Sequence, residues 1–282
     1  MTPLLNTFHD ASPPLHTHPN CDLCKQMRRS SGPDDPMKLQ RCKGCHIARY
    51  CSKDCQMNAW NLGHKMECKA WRRLRDSAIR SSGNDRAWCE FAQWREYHHD
   101  SLTNAALAHY MMDGPGSEEE YLLNVILLYK NDPSLPVERK FVMGGCQFVH
   151  KSIVPDGSVP APTHRMTKEI FEIREHNARQ LKARSGATGV IRMGAYVLIV
   201  KFAPLNQREP DGWKPFYRHF QFENEHFSED VRVNEEKLPA QILEEIFLTG
   251  AKQRFCCGKI PGLPTCCCGG WTHQQGPKAL GT

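Results

Sequence analysis

The chain predicts an α+β protein, made of a small two-metal module, a helical linker and a small, largely antiparallel α+β domain. Three observations carry this reading. Residues 21–68 hold seven cysteines and one histidine in four closely spaced pairs. Residues 69–112 place apolar and aromatic side chains at helical spacing. Beyond residue 118, β-branched and aromatic runs alternate with turn residues.

Composition sets the outer bounds. With 282 residues, 40% hydrophobic and 24% charged, most of the chain should fold. Its formal charge is +6. Seven thiolates subtract seven and two Zn²⁺ restore four, leaving +3, so nucleic acid is not expected as the main partner. No apolar run reaches the ~18 residues of a membrane span. MTPLLNTFHDASPP lacks the basic start and apolar core of a secretory signal. The cysteines are then expected in a reducing compartment, nuclear or cytoplasmic, where zinc is favoured over disulfides. Lys69, Arg72, Arg73 and Arg75 read as a solvated helix face rather than an import signal.

Residues 1–20, rich in proline and histidine, read as a flexible lead-in. The metal chemistry starts at Cys21. Cys21 and Cys24, then Cys42 and Cys45, are C-x2-C pairs, a spacing that turns two thiolates toward one ion. Cys51 with Cys55, and His64 with Cys68, are i, i+4 pairs that share one helical face. Eight ligands suit two tetrahedral zinc ions, and with every position filled the zincs are structural. Spacing alone leaves sequential and interleaved pairing both open. Apolar residues here are too few to stabilise so small a module, so metal must supply the folding free energy, about 10–16 kcal/mol per structural zinc site.

The run CKGCHIARYCSKDCQ, with Tyr50 before the fifth cysteine, and WNLGHKMEC, with Trp60 and the pair His64-Lys65, resemble the MYND-type zinc finger. The resemblance implies cross-braced ligation. One zinc takes Cys21, Cys24, Cys51 and Cys55, and the other takes Cys42, Cys45, His64 and Cys68. It implies protein partners, proline-containing peptides among them, with Gln56 and Trp60 lining the groove. Lys43 is placed to narrow or redirect that groove. The layout of finger, aromatic helices and small α+β domain, with WREYHHDSLTNAALAHY, is similar to fungal MYND-finger proteins.

After the finger, residues 69–112 predict three helices. The first carries Trp71, Leu74 and Ile79 and stops at Gly83. The second starts near Asp85 with Trp88, Phe91 and Trp94. The third is capped by Asp100 or Ser101. In the α+β domain, assigned to residues 118–255, strands are expected at 121–130, 138–149 with a kink at Gly144-Gly145, 189–203 and 215–223. Helices are expected at 163–184 and at 239–249, where Pro239 and Gly250 mark the ends. The tail, 256–282, is cysteine-rich, but Cys256-Cys257 and Cys266 to Cys268 lack a C-x2-C knuckle and read as irregular chain.

No catalytic residue emerges. Some MYND-type proteins carry a methyltransferase SET domain, yet its NHS-type cofactor motif is absent here, as are G-x-S-x-G, P-loop and G-x-G-x-x-G patterns. His98-His99-Asp100 fits the H-x-D of iron oxygenases only in letters, since that triad belongs on a β scaffold. Cys89 and Cys146 are lone cysteines without a base. The expected function is a non-enzymatic zinc-binding adaptor that recruits protein partners through the finger, with transcriptional regulation as its setting. The alternative is an enzyme acting through the C-terminal domain on protein substrates. Direct DNA binding would require a basic stripe and steep salt dependence.

Overall fold

The computed structural model describes residues 21–24, 39–114, 116–152, 168–176, 178–179, 191–210, 212–223 and 238–251. The N-terminal lead-in, residues 25–38 and the tail cysteines lie outside the described residues.

The first elements are short because metal, not sheet, organises them. β1 (Gln40–Arg41) and β2 (Arg49–Tyr50) pair antiparallel around the Cys42/Cys45 knuckle. α1 (Lys53–Ala59) begins at Ser52, whose hydroxyl accepts from the Cys55 amide at 3.1 Å. That is the usual work of a serine cap. A wide turn over Trp60–His64 follows. It hinges on Gly63 at φ 134°, a conformation that side chains with a Cβ resist. α2 (Lys65–Ser82) then leaves in a new direction and ends on Gly83 in the left-handed region.

α3 (Ala87–Tyr97) and α4 (His99–Asp113) abut at His98. The sequence suggested a cap at Asp100 or Ser101. The helix instead begins earlier and no side chain caps it. The reason is continuity: the His98 amide donates to the Trp94 carbonyl and its own carbonyl accepts from Leu102. α5 (Ser117–Glu120) is a single turn that leads into β3 (Tyr121–Tyr129).

β4 (Phe141–His150), β5 (Ile191–Lys201) and β6 (Lys214–Glu223) complete a sheet of order β4-β3-β5-β6. Two of the three pairings are antiparallel, and β3 with β5 is parallel. The β4–β5 connection therefore crosses β3, and it carries α6 (168–176). The kink expected at Gly144-Gly145 is a bulge. Ile126 faces Gly145 and Leu127 faces Met143, so Gly144 is the extra residue. A Cβ there would stand 3.2 Å from Ile126 and Leu128, which explains the glycine.

Strand alternation divides the sheet into two faces. Leu123, Val125, Leu127 and Tyr129 of β3, with Tyr196, Leu198 and Val200 of β5, join the main core. On the opposite face Leu122, Ala195 and Val197 meet Ile170 and Phe171 of α6. The main core is aromatic. Phe91 lies 5.7 Å from Phe141, 5.9 Å from Phe202 and 5.4 Å from Phe216 between ring centres. Trp94 meets Phe247 of α7 (Pro239–Thr249) edge-on at 4.8 Å. α3 and α4 thus link finger to sheet by filling the space between them. Trp88, Phe91, Trp94 and Leu102 are all buried there. A polar knot closes the edge of this layer. Buried Glu90 accepts from the Tyr129 hydroxyl at 2.6 Å and faces Lys140 Nζ at 3.4 Å.

Candidate metal centres

The eight ligands collect into two groups, each with all ligand atoms within 4.8 Å of one another. The first is Cys21, Cys24, Cys51 and Cys55, and the second is Cys42, Cys45, His64 and Cys68. The grouping is interleaved, first pair with third and second with fourth. A Zn–S bond of about 2.3 Å makes the edge of a tetrahedron about 3.8 Å. Cys24 and Cys51 Sγ are 3.6 Å apart, Cys51 and Cys55 3.5 Å, Cys42 and Cys68 3.8 Å. Cys45 Sγ lies 3.9 Å from His64 Nε2. Both groups therefore fit a tetrahedral zinc, and in each all four positions come from protein, the pattern of a structural site.

Each knuckle prepares its thiolates. Burial opposes ionisation of Cys21, but backbone N–H groups of Cys24, Cys51 and Leu23 outweigh it and bring the thiol down to about 7. Burial likewise opposes ionisation of Cys42, and His64 with the amides of Cys45 and Gly44 brings it down to about 7. Gly44 meets a tighter demand. A Cβ on it would lie 2.9 Å from Cys68 Sγ, so its bareness lets the knuckle approach α2. His46 closes the same knuckle at φ 60°, a left-handed position for a residue other than glycine. His64 is buried, and its Nδ1 stands 3.6 Å from Glu67 Oε2. That second contact orients the ring so that Nε2 faces the sulfurs. The two centres differ in access. Every ligand of the second is buried, whereas Cys24 of the first is exposed.

This arrangement decides the module's identity, and the comparisons agree. Residues 21–68 match the MYND finger family model. Residues 21–68 form a MYND finger. Over 49 residues the chain is 41% identical to a SET and MYND domain-containing protein of Dictyostelium discoideum, covering 17% of this chain and 8% of that one. Over 46 residues it is 44% identical to the SET domain and MYND-type zinc finger protein 6 of Schizosaccharomyces pombe, covering 16% and 9%. Programmed cell death protein 2 of Bos taurus is 35% identical over 79 residues, 23% of this chain and 21% of that one. The chain thus spans a small part of each relative. No solved structure matches it.

The MYND finger is a zinc-binding protein–protein interaction module, and here it leaves several large apolar side chains in water. Met57, Trp60, Leu62 and Met66 all stand out from α1, the wide turn and the start of α2, with Trp60 41% exposed. Gln56, half-buried, sits one helical turn before Trp60. The Trp60 ring also meets His64 edge-on at 6.0 Å, so one side packs on the second centre while the other faces out. Lys43 is exposed on the Cys42/Cys45 knuckle.

The structure adds contacts that the pattern of ligands does not announce. Trp88 Nε1 donates to the Cys45 carbonyl at 2.8 Å, and Arg75 donates to the Gly44 carbonyl at 2.8 Å. Arg41 and Arg49 both pair with Glu96 of α3. Trp71 approaches Phe216 of β6 at 6.5 Å. The finger is seated on the helices and the sheet edge.

Among the described residues, neither His98 nor His99 joins a group of metal-ligating side chains. His98 Nε2 lies 2.9 Å from the Glu138 carbonyl, and His99 Nδ1 lies 2.9 Å from the Tyr196 hydroxyl. Burial pushes the Cys146 thiol up to about 12, far from a nucleophile's range.

Proposed function

We propose that the chain is a non-enzymatic adaptor whose MYND finger receives protein partners on the face formed by Met57, Trp60, Leu62 and Met66. The exposure of these four side chains together carries the reading. Large apolar groups that a small module leaves in water mark interaction surfaces. Trp60 supplies the flat, amphipathic ring on which a proline stacks, and Gln56 supplies an amide beside it. The ligand class is a proline-containing segment of a partner protein, and the setting is transcriptional regulation in the nucleus or cytoplasm. The sheet and helices act as the platform that holds the finger in one orientation. A core filled by aromatic side chains supports that passive role.

The test is calorimetric titration of the zinc-loaded full chain with a peptide carrying spaced prolines and a leucine. Wild type should bind, and Trp60→Ala with two zincs retained should lose about tenfold or more in affinity, the scale of an aromatic anchor. Equal binding by both proteins would remove Trp60 from the site.

A further inference from the structure

Where the finger meets the body, positive charge is gathered without a matching number of carboxylates. Arg49 from β2, Arg95 from α3 and Arg218 from β6 lie within electrostatic range of one another and of His99. Two carboxylates belong to this cluster. Glu96 is held between Arg41 and Arg49. Asp22 accepts from the Arg49 amide at 2.8 Å, and its other oxygen stands 3.5 Å from Arg218. Arg95 is the exception. Its side chain is 8% exposed, and no carboxylate among the described residues comes within ion-pair distance. Its Nε is buried without an acceptor. Its guanidinium meets the face of Phe216, 5.3 Å from the ring centre, and the Tyr196 oxygen, while Asp22 attracts it from beyond ion-pair distance. A guanidinium buried without a carboxylate is costly unless an anion joins it.

The groups around it are aimed consistently. Tyr196 and Arg218 are cross-strand partners on β5 and β6. Arg95 donates to the Tyr196 oxygen, and the same hydroxyl is hydrogen-bonded to His99 Nδ1 at 2.9 Å. Burial and the three guanidiniums push the imidazole down to about 3, so it is neutral. His99 keeps partial exposure, so the cluster reaches solvent at its edge. α4 starts at His99 with no side-chain cap, which adds the positive end of a helix to the same place.

We infer that this cluster of Arg49, Arg95, Arg218 and His99 is an oxyanion-binding site. It takes a phosphoryl or carboxylate group presented by a partner protein. Partly buried guanidinium donors are well suited to both. The site shares no residue with the apolar face around Trp60 and does not rest on the proline reading. Because its walls come from finger, helix and sheet, occupancy would also tie the finger more firmly to the body.

The experiment uses the zinc-loaded full chain. Thermal stability and calorimetry are followed against inorganic phosphate, sodium acetate, a phosphoserine peptide and its glutamate counterpart, each at constant ionic strength with chloride. Saturable stabilisation by at least one anion is expected. Arg218→Gln, partly exposed, should weaken it about tenfold, the scale of one charge-assisted contact. Arg95→Gln should abolish it, and Arg208→Gln, an exposed charge beyond β5, should leave it unchanged. Preference for phosphate and phosphoserine assigns a phosphoryl ligand, and preference for acetate and glutamate assigns a carboxylate. No response beyond chloride, or a response that survives Arg218→Gln, overturns the proposal.

Discussion

The indole N–H of Trp88 donates to the carbonyl of Cys45 across 2.8 Å of buried space. One residue belongs to the helical layer and the other is a ligand of the second zinc group. The bond makes finger and body one packed unit. Trp88→Phe keeps an aromatic ring, leaves a small void and strands the carbonyl. Stability should fall by about 1–3 kcal/mol, the cost of a buried group left without a partner. Urea denaturation with both zincs bound measures it.

Zinc removal should not be confined to the finger. A strong chelator should unfold residues 21–68, since their apolar core is too small to stand alone. Because Trp88, Arg75 and Glu96 anchor the finger, amides in α2 and α3 should also lose hydrogen-exchange protection. The sheet strands β3 and β5 should hold theirs. The exposed Cys24 predicts that the first centre gives up zinc before the second. Exchange mapped by mass spectrometry, with zinc counted in parallel, checks both statements.

Gly44 is a packing requirement of the second centre. A Cβ at 2.9 Å from Cys68 Sγ must displace a ligand sulfur or the helix that carries it. Gly44→Ala should therefore weaken zinc at that centre by about tenfold or more, a loss on the scale seen when ligand support is disturbed. Competition with a chromogenic chelator reads it, and the first centre serves as the internal control.

Acid should destabilise the body through buried imidazoles as well as through metal loss. Burial, with Arg218 and Arg174 nearby, pushes His219 down to about 4. Its ordinary value in the unfolded chain is about 6.5. The unfolded state thus binds more protons between these values, and stability rises with pH across that window. The contribution is full above about 6.5 and is lost as pH falls toward 4. His219→Gln should flatten the stability–pH slope there by about one proton. The difference between variant and wild type isolates this effect from zinc release, which both share.

Ligand chemistry was legible because it is local. A C-x2-C knuckle and an i, i+4 pair need only their own spacing to present two ligands, and four such pairs announce two zincs. Helix ends at Gly83 and Gly250 and the bulge at Gly144 were readable for a similar reason: only glycine suits those backbone positions or close approaches. Apolar runs at 121–130 and 189–203 named the strands that the main core would bury. None of this settled how distant pieces meet. The interleaved grouping of ligand pairs followed from resemblance and not from spacing, since either pairing satisfies the local geometry. The parallel β3–β5 pairing needed a crossover whose course no single segment encodes. The seating of the finger depended on Trp88, Arg41, Arg49 and Glu96, residues that look like ordinary core or surface positions in a linear chain. The same holds for Arg95 and His99. A charge becomes informative only when packing removes water and places its neighbours, and that is a property of the tertiary structure.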